Sequence, residues 1–241
     1  MGLTNSDREH SADADAHAGR VREMFARISP RYDLLNHLLS ANLDRSWRRA
    51  VIMKLRPVLG SDARILDVAC GTGDLSLELF EKIGGDIIGL DFCRPMLELA
   101  RSKAPQLSLV ESDALRLPFG DASFDAVTMG FGIRNLSSVE QGLNELRRVL
   151  KPRGWAAILE FSRPSVPGLR ALSNIYCARI LPRLGGFISG ARSAYEYLPD
   201  SISRFPDQAT LASMMKDTGF DSVEFRNLTG GIAALHTGRR A

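Results

Sequence analysis

Cysteine is scarce in this 241-residue sequence: Cys70, Cys93 and Cys177 lie far apart, with no CxxC pair and no histidine set at zinc-ligand spacing. A disulfide framework and a structural zinc site are therefore excluded, no metal is expected, and a reducing cytoplasm is the expected compartment. Long hydrophobic runs are missing too. Even Leu172 to Gly190 is broken by Arg179, Pro182 and Arg183, short of the roughly 18 to 20 uninterrupted apolar residues of a spanning helix. Residues 1–20 lack the apolar stretch of a secretory signal and read as a disordered lead-in. Strong charge of either sign is also absent: 31 Lys and Arg against 28 Asp and Glu leave +3, scattered along the chain, so no nucleic acid is expected as a partner. There is no internal repeat.

With 44% hydrophobic residues, the chain can bury one full α/β core, and residues 21–241 are expected to form a single domain. Between Val21 and Leu59, apolar residues recur at three- and four-residue steps (Val21, Met24, Phe25 and Ile28, then Trp47, Val51 and Leu55), which predicts a helical annex over 21–60, its last helix capped by Asp44. Short apolar runs follow at Arg64–Val68, Asp86–Leu90, Leu107–Val110, Phe124–Met129 and Trp155–Phe161, too short for helices. Helical patterns separate them, the last opened by Ser138 and Gln141 in capping-box spacing. Strands alternating with helices imply a doubly wound, mostly parallel sheet. Residues 169–205 read as a helical insertion or lid and Asp207 to Thr218 as an amphipathic helix. Runs at Asp221–Leu228 and Gly231–Gly238 bring the sheet to seven strands, closed by an antiparallel hairpin at the sheet edge that supplies an antiparallel C-terminal strand.

In such a sheet, ligands bind beyond the carboxyl ends of the strands, near the point where strand order reverses. The first strand ends in Asp67-Val68-Ala69-Cys70-Gly71-Thr72-Gly73-Asp74, where Gly71 and Gly73 allow a sharp turn and close approach of a ligand. Asp91 closes the second strand, where a carboxylate can accept both hydroxyls of a ribose. Asp113, with Ala114, follows the third, placed to meet an adenine amine. A dinucleotide fingerprint needs a third glycine where Ser76 stands, and Asp74 at the helix start would repel a pyrophosphate. S-adenosylmethionine carries a sulfonium cation and no phosphate, so an acidic loop with Asp67 and Asp74 favours it as the cofactor.

Three segments carry a resemblance to a known family: Tyr32-Asp33-Leu34-Leu35-Asn36-His37-Leu38-Leu39-Ser40 with Trp47; Gly130-Phe131-Gly132-Ile133-Arg134-Asn135; and Arg148-Val149-Leu150-Lys151-Pro152-Arg153-Gly154 leading to Glu160-Phe161-Ser162. They resemble the class I methyltransferases, with their Rossmann-like sheet, and within them the quinone C-methyltransferases of menaquinone and ubiquinone biosynthesis. The resemblance runs from Val21 to the C-terminus. It implies methylation of a ring carbon on a polyprenylated quinol, demethylmenaquinol to menaquinol first and the benzoquinol of ubiquinone biosynthesis second. It also implies cofactor contacts at Thr72, Asp91, Asp113 and Ala114. The pattern departs from the family at Leu35, Asp44, Gly130, Arg153 and Ala156; Asp44 stands where a histidine is frequent, which excludes a role for that histidine here.

Methyl transfer to carbon is an in-line displacement, helped by an electron-rich ring. A base, or a cation stabilising a phenolate, is expected beyond the fourth strand. Arg134 and Asn135 occupy that position and Tyr32 reaches it from the annex; these three are the catalytic candidates, the alternative for Arg134 being a structural pair with Glu160. The apolar and arginine-bearing stretch from Leu169 to Gly190 suits either peripheral membrane contact or an ordinary packing helix. A homodimer is one admissible assembly. The rival functions are methylation of another small molecule and a catalytically silent cofactor-binding module.

Overall fold

The computed structural model of the chain describes residues 5–166, 168–169, 171–172 and 192–241. Three helices precede the sheet: α1 (Asn5–Ile28), α2 (Tyr32–Leu39) and α3 (Leu43–Leu55). The first begins at Asn5, inside the segment expected to be disordered. Its physical basis is the alanine series Ala12, Ala14, Ala16 and Ala18, strong helix formers that need no apolar periodicity to propagate a helix. Asp44 is not the cap of α3. Asn42 holds that position in a left-handed conformation (φ 60°), which asparagine tolerates better than most residues, and Asp44 lies in the first turn.

The core follows as β1 (Arg64–Val68), α4 (Asp74–Lys82), β2 (Asp86–Asp91), α5 (Arg94–Lys103), β3 (Ser108–Glu111), β4 (Phe124–Gly130), α6 (Val139–Val149) and β5 (Leu150–Phe161). After it come α7 (Arg192–Arg204), α8 (Gln208–Asp217), β6 (Phe220–Leu228) and β7 (Ala233–Arg240). Helix α7 falls within the expected 169–205 insertion, while residues 170 and 173–191, most of the stretch considered for membrane contact, lie outside the described residues. Among the described residues, no helix is long and apolar enough to cross a membrane.

The seven strands form one sheet in the order β3-β2-β1-β4-β5-β7-β6. Strand β1 pairs in parallel with both β2 and β4, so strand order reverses between β1 and β4 and opens a crevice there. Among the described residues, only β7 runs against its neighbours, pairing antiparallel with β5 and β6, as the short Thr229–Gly231 connection requires. Both faces are buried. Alternation along β1 sends Leu66 and Val68 into the cluster under α6 and α8, and Ile65 into the cluster under α3 and α4. The Ser138 hydroxyl caps α6 by accepting from Gln141 N at 3.1 Å, whereas the Gln141 side chain donates to Leu115 O rather than returning to the cap. Only half of a capping box forms.

Candidate active site

The crevice beyond β1, β2 and β4 deepens into an open cleft, in the place where ligands bind in such sheets. Its floor comes from the β1–α4 turn (Ala69, Gly71), one wall from the ends of β2 and β3 (Asp91, Phe92, Ser112, Asp113, Ala114, Leu115) and the opposite wall from Gly130–Gly132 and Asn135–Ser137. The annex closes it with Ala18, Phe25 and Tyr32.

The turn depends on its glycines. Gly71 has φ +55°, and a Cβ there would approach Tyr32 Cε1 at 3.9 Å, inside the cleft; Gly73 has φ +82° and would meet Ala100 Cβ at 3.2 Å. One thus leaves room beside the annex tyrosine, and the other lets α4 start tight against α5.

Asp91 is buried at the cleft wall. Its Oδ2 accepts from Gly71 N at 2.8 Å and its Oδ1 from Cys93 N at 2.9 Å. Burial pushes its pKa up, and these backbone N–H groups offset part of that rise. Each oxygen keeps a lone pair for a ligand diol. Asp113 is exposed, and its Oδ1 accepts from Leu115 N at 2.9 Å, an Asx turn that presents the buried Ala114 and half-buried Leu115 as an apolar edge.

Other expected contacts face elsewhere. Asp67 does not line the cleft. Strand alternation puts it on the Ile65 face, beneath α4, where it accepts from Ser76 Oγ at 2.5 Å and Thr128 Oγ1 at 2.7 Å. Burial raises its pKa from 3.8 to about 6 despite those hydroxyls. The buried Thr72 donates to Asp33 Oδ1 of α2 at 2.5 Å. Asp74, expected to suit a cation in the loop, binds cations of the protein instead: Lys103 Nζ at 2.5 Å and Arg48 Nη1 at 3.5 Å.

Those contacts belong to a network clamping the annex to the β1–α4 turn. Lys103 bridges Asp33 and Asp74 at 2.6 and 2.5 Å. Arg48 spans Asp44 at 2.8 Å and Glu78 at 2.7 Å, and His37 Nδ1 meets Asp44 Oδ2 at 2.7 Å. Burial works against the Asp44 charge, but Ser40 and Arg48 hold its pKa below the usual carboxylate range. His37, Asp44 and Asp74 converge closely enough to suggest a metal set, yet the Arg48 guanidinium already provides the positive charge between the two carboxylates. Sequence reading missed this cluster because its members are brought together only by the docking of α2 and α3.

At the far wall, Arg134 and Glu160 form a buried pair. Arg134 Nη1 donates to Glu160 Oε1 at 2.7 Å and to Phe131 O at 2.6 Å, and Glu160 Oε1 also accepts from Phe161 N at 2.8 Å. Arg134 lies behind the cleft wall, in the structural pairing weighed above, while Asn135 and Tyr32 line the cleft itself. Tyr32 packs edge-on to Phe25, centroids 6.0 Å apart. Burial pushes its phenol up, while a hydrogen bond with Asn36 and the nearby Arg134 charge pull it down. Phe131 anchors the wall through Trp47 at 5.9 Å and Phe161 at 4.6 Å. The Tyr197 hydroxyl of α7 donates to Asn135 Oδ1 at 3.1 Å, a contact that sequence reading did not anticipate.

The seven-stranded sheet, reversing between β1 and β4 and closed by an antiparallel β7, has the fold of the S-adenosylmethionine-dependent methyltransferases. A solved structure from Thermotoga maritima, described as a SAM-dependent methyltransferase and possible histamine N-methyltransferase, shares the fold at TM-score 0.67 and 20% identity, over 91% of this chain and 99% of that one. The ubiE/COQ5 methyltransferase family model matches residues 13–240, and the chain belongs to that family. A demethylmenaquinone methyltransferase of Deinococcus radiodurans is 47% identical, over 98% of this chain and 99% of the relative. One of Thermus thermophilus is 48% identical, over 90% of this chain and all of the relative. A ubiquinone/menaquinone biosynthesis C-methyltransferase of Geotalea uraniireducens is 43% identical, over 92% and 96%.

Proposed function

We propose that the protein transfers a methyl group from S-adenosylmethionine to a ring carbon of demethylmenaquinol, giving menaquinol, at the cytoplasmic side of the bilayer that holds the prenyl tail. The observation that carries this reading is the division of the cleft. Asp91 and the Ser112–Leu115 turn form a nucleoside-type wall, and Tyr32, Phe131 and Asn135 form an aromatic and hydrogen-bonding wall opposite it. The names of the Deinococcus and Thermus relatives support the naphthoquinol ring.

The residues present fit the cofactor. Asp91 would hold the ribose, Gly71 would allow the backbone to approach it, and Met96, Ala114 and Leu115 would flank the adenine beside Asp113. When bound, the cofactor supplies an electrophilic methyl group. The protein's part is to orient the ring, exclude water and favour the quinolate. Tyr32 is a hydrogen-bond donor to a quinol oxygen, because burial keeps its phenol protonated. Asn135 offers an amide from the same wall. Arg134 acts without touching the ring: its charge already lowers the Tyr32 pKa across the wall, and the same field lowers that of a quinol placed beside Tyr32. Glu160 anchors the guanidinium and tempers that field.

A strain lacking the gene tests the reading through its quinones. Mass spectrometry is expected to show demethylmenaquinone in place of menaquinone; an unchanged quinone profile would refute it. Loss of ubiquinone with accumulation of its unmethylated precursor would instead favour the benzoquinol, the substrate suggested by the name of the Geotalea relative.

A further inference from the structure

We propose that Tyr197 is a positioning residue for methyl transfer, acting through Asn135; this rests on the quinol-methylating reading above. Asn135 ends the short 3-10 turn Ile133–Asn135 beyond β4 and lines the cleft. A carboxamide has two faces of opposite hydrogen-bonding sense, and which one meets a substrate is set by its fixed partners. Two of its contacts bear on that choice. Tyr197 OH donates to Asn135 Oδ1 at 3.1 Å, and Asn135 Nδ2 faces Phe131 O at 3.4 Å.

The second contact is long for an N–H···O bond, whose usual length is about 2.9 to 3.0 Å. The Phe131 carbonyl can only accept and so sets the sense of the amide, while the shorter contact makes the Tyr197 hydroxyl its stronger anchor. That hydroxyl holds the acceptor end of the amide toward α7 and turns the donor end toward the wall that Phe131 and Asn135 form. A donor suits an oxygen gaining negative charge, whereas the reversed amide would set an acceptor against it. Tyr197 is half-buried, and burial pushes its phenol up while the Arg134 and Arg204 charges pull it down. Its place is fixed by the packing of α7 against both the 133–135 turn and α1.

The test uses full-length Tyr197→Phe, which removes one hydroxyl and keeps the ring. With demethylmenaquinol and S-adenosylmethionine, kcat is expected to fall about tenfold, KM to move less than about threefold, and cofactor affinity and thermal midpoint to stay near wild type. The double variant with Asn135→Ala is expected to be no slower than Asn135→Ala alone, because both changes remove one interaction. Unchanged kcat, or losses that multiply, would overturn the proposal. A second readout needs no turnover: the Asn135 side-chain amide resonances of isotope-labelled protein are expected to shift in Tyr197→Phe, and unmoved resonances would overturn the proposal equally. Wild-type protein that fails to methylate the quinol would refute the functional reading instead, with the resonances still deciding the role of Tyr197.

Discussion

Four carboxylates look equivalent in the sequence and behave differently in the fold. The positions of Asp91 and Asp113 on the cleft wall were legible because one closes β2 and the other follows β3 at the carboxyl edge of the sheet. Asp67 was misread because one step back along β1 reverses its direction, and Asp74 because its partners come from helices distant in sequence. Asp91→Ala is expected to weaken S-adenosylmethionine binding by at least about 100-fold, the loss of two hydrogen bonds to a charged acceptor; calorimetric titration measures it, and near-wild-type affinity would remove Asp91 from the site. Asp67 gives a pH signature. Its pKa rises from 3.8 to about 6 on folding, so folding favours its protonated form. The stabilisation this gives is complete below the unfolded value of 3.8 and is lost as pH rises through about 6. Asp67→Asn is therefore expected to gain stability relative to wild type between pH 4 and pH 8. Thermal midpoints across that range check the trend, and a constant difference would contradict it.

At the level of elements, the strands were readable as short apolar runs, and α6 and α8 as amphipathic patterns with Ser138 and Asp207 before them. Helix α1 was cut short in the reading because its first half has alanine in place of an apolar stripe. The docking of the annex was not legible, since it rests on Lys103, Arg48 and four acidic residues spread over α2, α3, α4 and α5. Apart from the buried Asp44 these are partly exposed charges, so most of the bridges are worth little alone and the network acts by fixing geometry. Lys103→Ala leaves Asp33 and Asp74 without their shared cation. It is expected to cost about 1 kcal/mol of stability and to raise hydrogen exchange across residues 21–43 more than in the sheet. Exchange unchanged in the annex would show that apolar contacts of α1 and α3 hold it alone.

Across the whole molecule, the sheet order and the crevice follow from the strand–helix alternation, and the crevice in turn says where a ligand binds. They do not say which ring is methylated, because many chemistries share this fold. That inference rests on the wall built by Tyr32, Phe131 and Asn135 and on kinship within the family. The most direct measurement is a single-turnover reaction of the purified protein with S-adenosylmethionine carrying a ¹³C methyl group and chemically reduced demethylmenaquinone in detergent. The account predicts one labelled methyl group on the naphthoquinol ring carbon, with S-adenosylhomocysteine formed in equal amount. Label retained on the cofactor, or transferred to oxygen in place of carbon, would contradict it.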